Sequence, residues 1–104
     1  MSDKYRTIEL TKGFVAVIDK EDFRRVNRHS WYTHMSAGSG RKFGQPYARA
    51  SIKGKKVYMH RFIMNAEQGS HVDHINHMTL DNRKSNLREV HPTTNQKNRR
   101  KKNV

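Results

Sequence analysis

Between His71 and Arg100 the chain gathers residues that ligate metals or move protons. Asp73 and His74 are adjacent; Asn86 and Asn95 follow, with Asn76, Asn82 and Asn98 nearby. Histidine is the side chain that takes up a proton near neutral pH. A carboxamide oxygen that accepts from one ring N–H fixes the tautomer and leaves the other nitrogen free, and Asn86 has the side chain for that task. Asp73 and Asn95 offer hard oxygen donors, which suit Mg²⁺ or Mn²⁺ better than zinc. Together these groups fit phosphodiester hydrolysis. That reaction needs a deprotonated water in line with the leaving oxygen, and positive charge where negative charge builds on the phosphate. One carboxylate and one carboxamide make a weak cation site, which a DNA phosphate would complete.

Short elements must hold these groups. Val72 and Ile75 flank the Asp-His pair as a strand would, and Leu87 and Val90 mark a second strand. Pro92-Thr93-Thr94 reads as a helix start with a hydroxyl for the N-cap, ahead of the basic run NQKNRRKK. The order is strand, long turn, strand, helix. With the blocks VDHIN, DNRKSNLR and TTNQKNR in that order and at those distances, the segment resembles the HNH nucleases and their ββα-metal motif. It is most similar to the phage and intron-encoded homing branch. The resemblance implies that His74 is the general base and that Asn86 orients it. It implies that Asp73 and Asn95 hold one divalent cation, Mg²⁺ first and Mn²⁺ second. Asn95 stands where many of the family have His; His91 lies four residues earlier and is not the aligned ligand. His60 and Asn98 are candidates for supporting groups behind these.

Each assignment has a plainer competitor. His74 is otherwise a strand histidine packed on the helix, and Asp73 a turn or cap carboxylate. Asn86 precedes Leu87 in a turn, where Asn often bonds local backbone. Asn95 is otherwise a first-turn helix residue, and His60 a packing residue. His71, His77 and His91 read as surface groups or phosphate contacts, and Trp31 as core.

The rest of the chain bounds the reading. It has 104 residues, 33% hydrophobic, with a mean hydropathy of −1.09, so the core must be small. The net charge of +13 and pI near 10.5 point to a polyanionic partner, nucleic acid first. No amphipathic apolar face argues for a membrane surface. There are no cysteines, so disulfides and a cysteine-framed structural zinc are excluded. No run of 18 apolar residues occurs, and MSDKYRTIEL has no apolar leader core, so a cytoplasmic protein is expected, in the host cell if phage-encoded.

Upstream, TIELTKGFVAVID predicts two short strands, marked by Ile8 and Leu10 and then by Phe14, Val15 and Val17, around a tight Thr11-Lys12-Gly13 turn. Asp19 is a plausible N-cap for a short helix with Phe23 and Val26 on its buried face. Ser30–His34, Pro46–Ile52 and Lys56–Met59 predict a three-stranded antiparallel sheet with a turn at Lys53-Gly54-Lys55, then a short helix from His60 that ends near Gly69. The fold class is α+β. An N-terminal β-sheet module with a short helix spans 7–59 and contacts DNA; a connecting helix spans 60–68; the ββα-metal motif spans 69–101.

From Phe23 to Ala66 there is no acidic residue, but ten basic ones, including Arg41 and Lys42. The expected duplex contacts are Arg49, Lys53, Lys55, Lys56, Arg61, Arg83, Arg88, Arg99 and Arg100. The competing view is a solvated sheet face that lysines guard against edge pairing. The sheet also has a broad architectural likeness to the three-stranded DNA-binding domain of plant ethylene-response factors. The sequence therefore predicts a metal-dependent endonuclease of double-stranded DNA that nicks one strand as a monomer, with a dimer as the alternative state and no small-molecule substrate. The rival readings are a DNA-binding module with a vestigial nuclease site and an RNA-binding basic protein.

Overall fold

The computed structural model describes residues 4–38 and 44–91. It is a small α+β fold of antiparallel sheets and few helices. The predicted C-terminal helix, with Asn95, Asn98, Arg99 and Arg100, lies outside the described residues, as do Arg41 and Lys42.

The chain opens with a hairpin, β1 (Tyr5–Glu9) and β2 (Val15–Asp19), paired from Tyr5↔Asp19 to Glu9↔Val15. Lys12 and Gly13 take positive φ (64° and 82°) to turn the chain. Glycine tolerates that region freely, which is the physical basis of the turn signal. The inward residues of β2 are Ala16 and Ile18, while Val15 is exposed. Strand alternation therefore puts Ala16 and Ile18 on the core face and leaves Val17 only half-buried. A 3-10 turn over Lys20–Asp22 leads into the single-turn helix α1 (Phe23–Val26). Asp19 makes no cap bond; its Oδ2 instead accepts from the Lys84 N–H at 2.9 Å.

The predicted meander forms from β3 (Tyr32–Met35), β4 (Pro46–Ile52) and β5 (Lys55–Tyr58). Lys53 and Gly54 both adopt positive φ (53° and 81°), the pairing that a two-residue hairpin turn requires. Thr33, Ala48 and Ala50 face inward; Tyr32, His34, Tyr47, Arg49 and Tyr58 occupy the other, half-buried face. Helix α2 (Met59–Met64) follows and ends at Asn65, whose left-handed φ of 50° halts it well before Gly69. β6 (His71–His74) then pairs antiparallel with β7 (Leu87–Val90), from His71↔Val90 to His74↔Leu87.

One core joins these pieces. Ile8, Ile18, Val26, Trp31, Ala50, Met59, Ile63, Val72 and Leu87 form a single buried cluster. The Trp31 indole N–H donates to the Val26 carbonyl at 2.7 Å, so its polar edge is satisfied inside the core, as expected for a core tryptophan. Arg25 stitches α1 to α2: it donates to the Phe62 and Ile63 carbonyls, at 3.0 and 2.9 Å, and pairs with buried Asp22. Among the described residues, no helix is long and apolar enough to cross a membrane.

Candidate active site

β6 presents Asp73 and His74 to opposite faces, as successive strand residues must be. Asp73 is exposed and His74 is 9% exposed. The long turn after β6 folds back over the histidine, and its path is set by backbone pairing with the N-terminal hairpin. The Val17 N–H donates to the Leu80 carbonyl at 2.9 Å, and the Asn82 N–H donates to the Val17 carbonyl at 2.7 Å. This pairing carries Asn82 inside, where it is completely buried.

Asn82, rather than Asn86, meets the histidine. His74 Nε2 lies 2.7 Å from Asn82 Oδ1. A carboxamide oxygen only accepts, so Nε2 carries the proton and Nδ1 keeps its lone pair. Asn86 is also buried, but both ends of its amide are engaged elsewhere. Its Oδ1 accepts from the Asn76 N–H at 2.9 Å, and its Nδ2 donates to the Asp81 carbonyl at 2.8 Å. Asn86 therefore pins the start of the turn to its end, and the Ile75 N–H donating to the Asn86 carbonyl at 2.8 Å closes the same loop. The local-backbone alternative for Asn86 describes these bonds.

Burial pushes the pKa of His74 below the usual histidine value, while the Asn82 bond and the Asp81 and Asp73 carboxylates oppose that shift. Its ring packs on His60, centroid to centroid at 4.8 Å. His60, 8% exposed, opens α2 at the end of the sheet and is wedged against Tyr58 and Tyr47, at 5.5 and 5.7 Å. Burial first, then the neighbouring His74 and Arg61, pushes its pKa down to about 3. Both imidazoles are therefore neutral at pH 7, and His74 is free to accept a proton.

His74 opens onto a cleft of about 860 Å³, lined by Tyr47 and Gln45 from the sheet side, His60 from α2, Asp73 from β6, His77 and Thr79 from the turn, and Arg88 from β7. The Asp73 carboxylate pairs with the Arg88 guanidinium, its cross-strand partner, at 3.0 Å. Both side chains are largely exposed, so the pair is weak, about 0–1 kcal/mol, and exchangeable. Asp73 is the one carboxylate among the described residues lining the cleft.

Among the described residues, the acidic group compact enough to hold a metal lies elsewhere, at Asp19, Glu21 and Asp22. The Lys84 ammonium already sits in it, 3.1 Å from Glu21 and 3.2 Å from Asp22. That cluster is an internal ion pair that ties the turn to α1, and a cation there would have to expel the lysine.

The basic residues divide into two sets. Lys53, Lys55 and Lys56 are exposed around the β4–β5 turn. Arg49 is held between the Tyr32 and Tyr58 rings, at 5.7 and 5.6 Å, with its Nε donating to Tyr32 Oη. Arg61 and Arg83 are committed to the fold. Arg61 donates to the Ser70 and Glu67 carbonyls, and Arg83 makes a two-bond pair with Asp81 while lying over the Tyr5 ring. Sequence reasoning missed Asn82 as the histidine's partner and Tyr47 as a wall of the cleft. Compared with family models, curated proteins and solved structures, the chain matches none.

Proposed function

We propose that this protein is a metal-dependent HNH-type endonuclease that hydrolyses phosphodiester bonds in double-stranded DNA, nicking one strand. One observation carries the reading. His74 is anchored through Nε2 to a buried carboxamide, and it lines an open cleft that the exposed Asp73 carboxylate lines too, while no hydrogen bond among the described residues engages its Nδ1. In this mechanism Nδ1 takes a proton from water as the water oxygen bonds to phosphorus. The bond from phosphorus to the leaving sugar oxygen breaks, and that oxygen takes a proton from solvent. Asn82 holds the ring, and Asn86 acts one step back by folding the turn that delivers Asn82.

The donor chemistry fits a divalent cation. Asp73 is a hard, solvent-facing carboxylate beside the base, and Arg88 is displaceable from it. Asp73, with Asn95, would hold Mg²⁺ or Mn²⁺, which supplies positive charge to the phosphate when bound. Lys53, Lys55, Lys56 and Arg49 lie on the acid-free module and meet DNA phosphates.

The second reading, a DNA-binding module with an inactive site, draws on the Arg88–Asp73 pair, which occupies the carboxylate a cation would use. Incubation with supercoiled plasmid separates the two. Endonuclease action converts it to open circles with Mg²⁺ and stops with EDTA, and nicked product accumulates well before linear DNA because one bound site faces one strand. Unchanged plasmid under saturating binding, with either Mg²⁺ or Mn²⁺, refutes the nuclease reading.

A further inference from the structure

One side chain of the three-stranded sheet forms part of the cleft wall. Tyr47 stands on β4, on the outward face shared with His34 and Arg49. That face runs through rings in contact: Tyr58 lies 5.6 Å from Tyr47, His60 5.7 Å and His74 6.1 Å. The Tyr47 ring is thus fixed on three sides and presented to the cleft that holds His74 and Asp73. Thr79 donates its hydroxyl to the Pro46 carbonyl, next to Tyr47, which ties this part of β4 to the turn covering His74.

The polar groups around the cleft differ in what remains to them. The Thr79 hydroxyl is committed to Pro46, His74 Nε2 to Asn82, and Arg88 is paired with Asp73. Gln45 is an exposed side chain on the rim. Tyr47 combines an immobilised ring with a hydroxyl that no hydrogen bond engages among the described residues. A phenol hydroxyl can donate a hydrogen bond to an oxyanion. A fixed donor facing the place where charge develops needs no reorganisation at the moment of reaction, which is the condition for strong electrostatic catalysis.

We propose that Tyr47 is a catalytic residue of this cleft, its hydroxyl donating a hydrogen bond to a non-bridging oxygen of the scissile phosphate. This rests on the nuclease reading above. It makes the site composite: base and metal carboxylate come from β6, and the oxyanion donor from the three-stranded sheet. No proton leaves Tyr47; the bond shortens as negative charge gathers on the phosphate oxygens.

The test uses the full chain and a duplex oligonucleotide carrying a mapped cut site, with saturating Mg²⁺ and single-turnover conditions. Tyr47→Phe keeps the ring contacts and removes the hydroxyl. The expected result is a rate lower by about 10²-fold, with DNA affinity and melting temperature as in the wild type. A phosphorothioate at the non-bridging position supplies the readout that a structural role would not move. Sulfur accepts hydrogen bonds poorly, so in one diastereomer the wild type slows and the Tyr47→Phe penalty largely disappears. Wild-type cutting with an equal rate in Tyr47→Phe overturns this proposal alone. So does a loss matched by weaker DNA binding, or a penalty unchanged in both diastereomers. A wild type that binds but never cuts overturns the nuclease reading and this proposal together.

Discussion

His60 should make the free protein sensitive to mild acid, in a pH window that identifies it. Its pKa is pushed down to about 3 by burial, then by His74 and Arg61. In the unfolded chain it returns to about 6.5. Below that value the unfolded state binds a proton that the folded state refuses. Stability from this group is therefore complete above about pH 6.5 and falls as the pH drops toward about 3. The slope is at most about 1.4 kcal/mol per pH unit for one proton. Two units below 6.5, near pH 4.5, His60 costs about 2.7 kcal/mol as an upper figure. Against a total of about 5–10 kcal/mol for a domain this size, the loss is large enough to measure. The carboxylates of Asp81 and Glu89 are held below their usual range, by Arg83 and by the Ser70 hydroxyl respectively, so their stabilisation is lost as the pH falls below their usual values, at the acid end of this window.

The assay is urea unfolding of wild type and His60→Phe at several pH values, without DNA or metal. Phenylalanine preserves the ring stack on Tyr47, Tyr58 and His74. His74 shifts in the same direction and should titrate in both proteins, so the difference between the two curves isolates His60. Wild type should lose about 2–3 kcal/mol more than His60→Phe between about pH 7 and pH 4.5. The ring proton of His60, followed by NMR, should show no titration in that interval. A His60 midpoint near 6.5, or parallel stability curves, would refute the argument that burial keeps this ring neutral.

Removing the base with His74→Ala should lower plasmid nicking by about 10²- to 10⁴-fold while gel-shift affinity survives; wild-type turnover in that variant would end the assignment. Asn82→Ala should leave Nε2 without its acceptor and cut the rate by at least about tenfold. Asn82→Asp should restore part of it with the midpoint of the pH–rate profile moved up, since a carboxylate stabilises the protonated ring, and an unmoved profile would argue against the Nε2 contact. Replacing Lys53, Lys55 and Lys56 with Gln should weaken DNA binding and flatten the salt dependence by about 0.9 per lost phosphate contact; an unchanged slope would turn the β4–β5 hairpin away from DNA.

Local chemistry made much of this fold legible. Thr11-Lys12-Gly13 and Lys53-Gly54 are turns because their backbones need positive φ. The strands around them follow from alternation, as does the pairing of β6 with β7 on either side of a polar turn. The failures came where position depends on a distant partner. Asn82 and Asn86 carry the same carboxamide within one polar stretch. Which of them reaches His74 is decided by the pairing of that stretch with Val17, sixty-five residues away from Asn82, and no local pattern reports it. The acid-free interval is expected to carry much of the phosphate contact, with Arg61 among the contacts, yet Arg61 is spent on backbone carbonyls, as is Arg25. A charge count gives the sign of the surface, while commitment of each guanidinium is a tertiary fact. Alternation puts Tyr47 on the face of Arg49, but only the packing of α2 and β6 beside that face makes it part of a cleft.

Asn82 also carries a cost that bears on its role. It is fully buried, and its Nδ2 finds no acceptor among the described residues. An unsatisfied buried donor costs about 1–3 kcal/mol, which a smaller apolar residue would avoid. Packing alone therefore does not account for asparagine at this position. What the carboxamide supplies is one buried oxygen 2.7 Å from Nε2 of His74, on a backbone locked to β2. That oxygen fixes the tautomer without adding a full negative charge; the bond itself favours the protonated ring, and burial is what holds the histidine's pKa below its usual value. A carboxylate would satisfy the same proton but raise the histidine's pKa. A hydrophobic residue would release the ring. On the nuclease reading proposed above, the half-satisfied amide is the cost of holding the ring through Nε2, the kind of local inconsistency that a functional site is expected to carry.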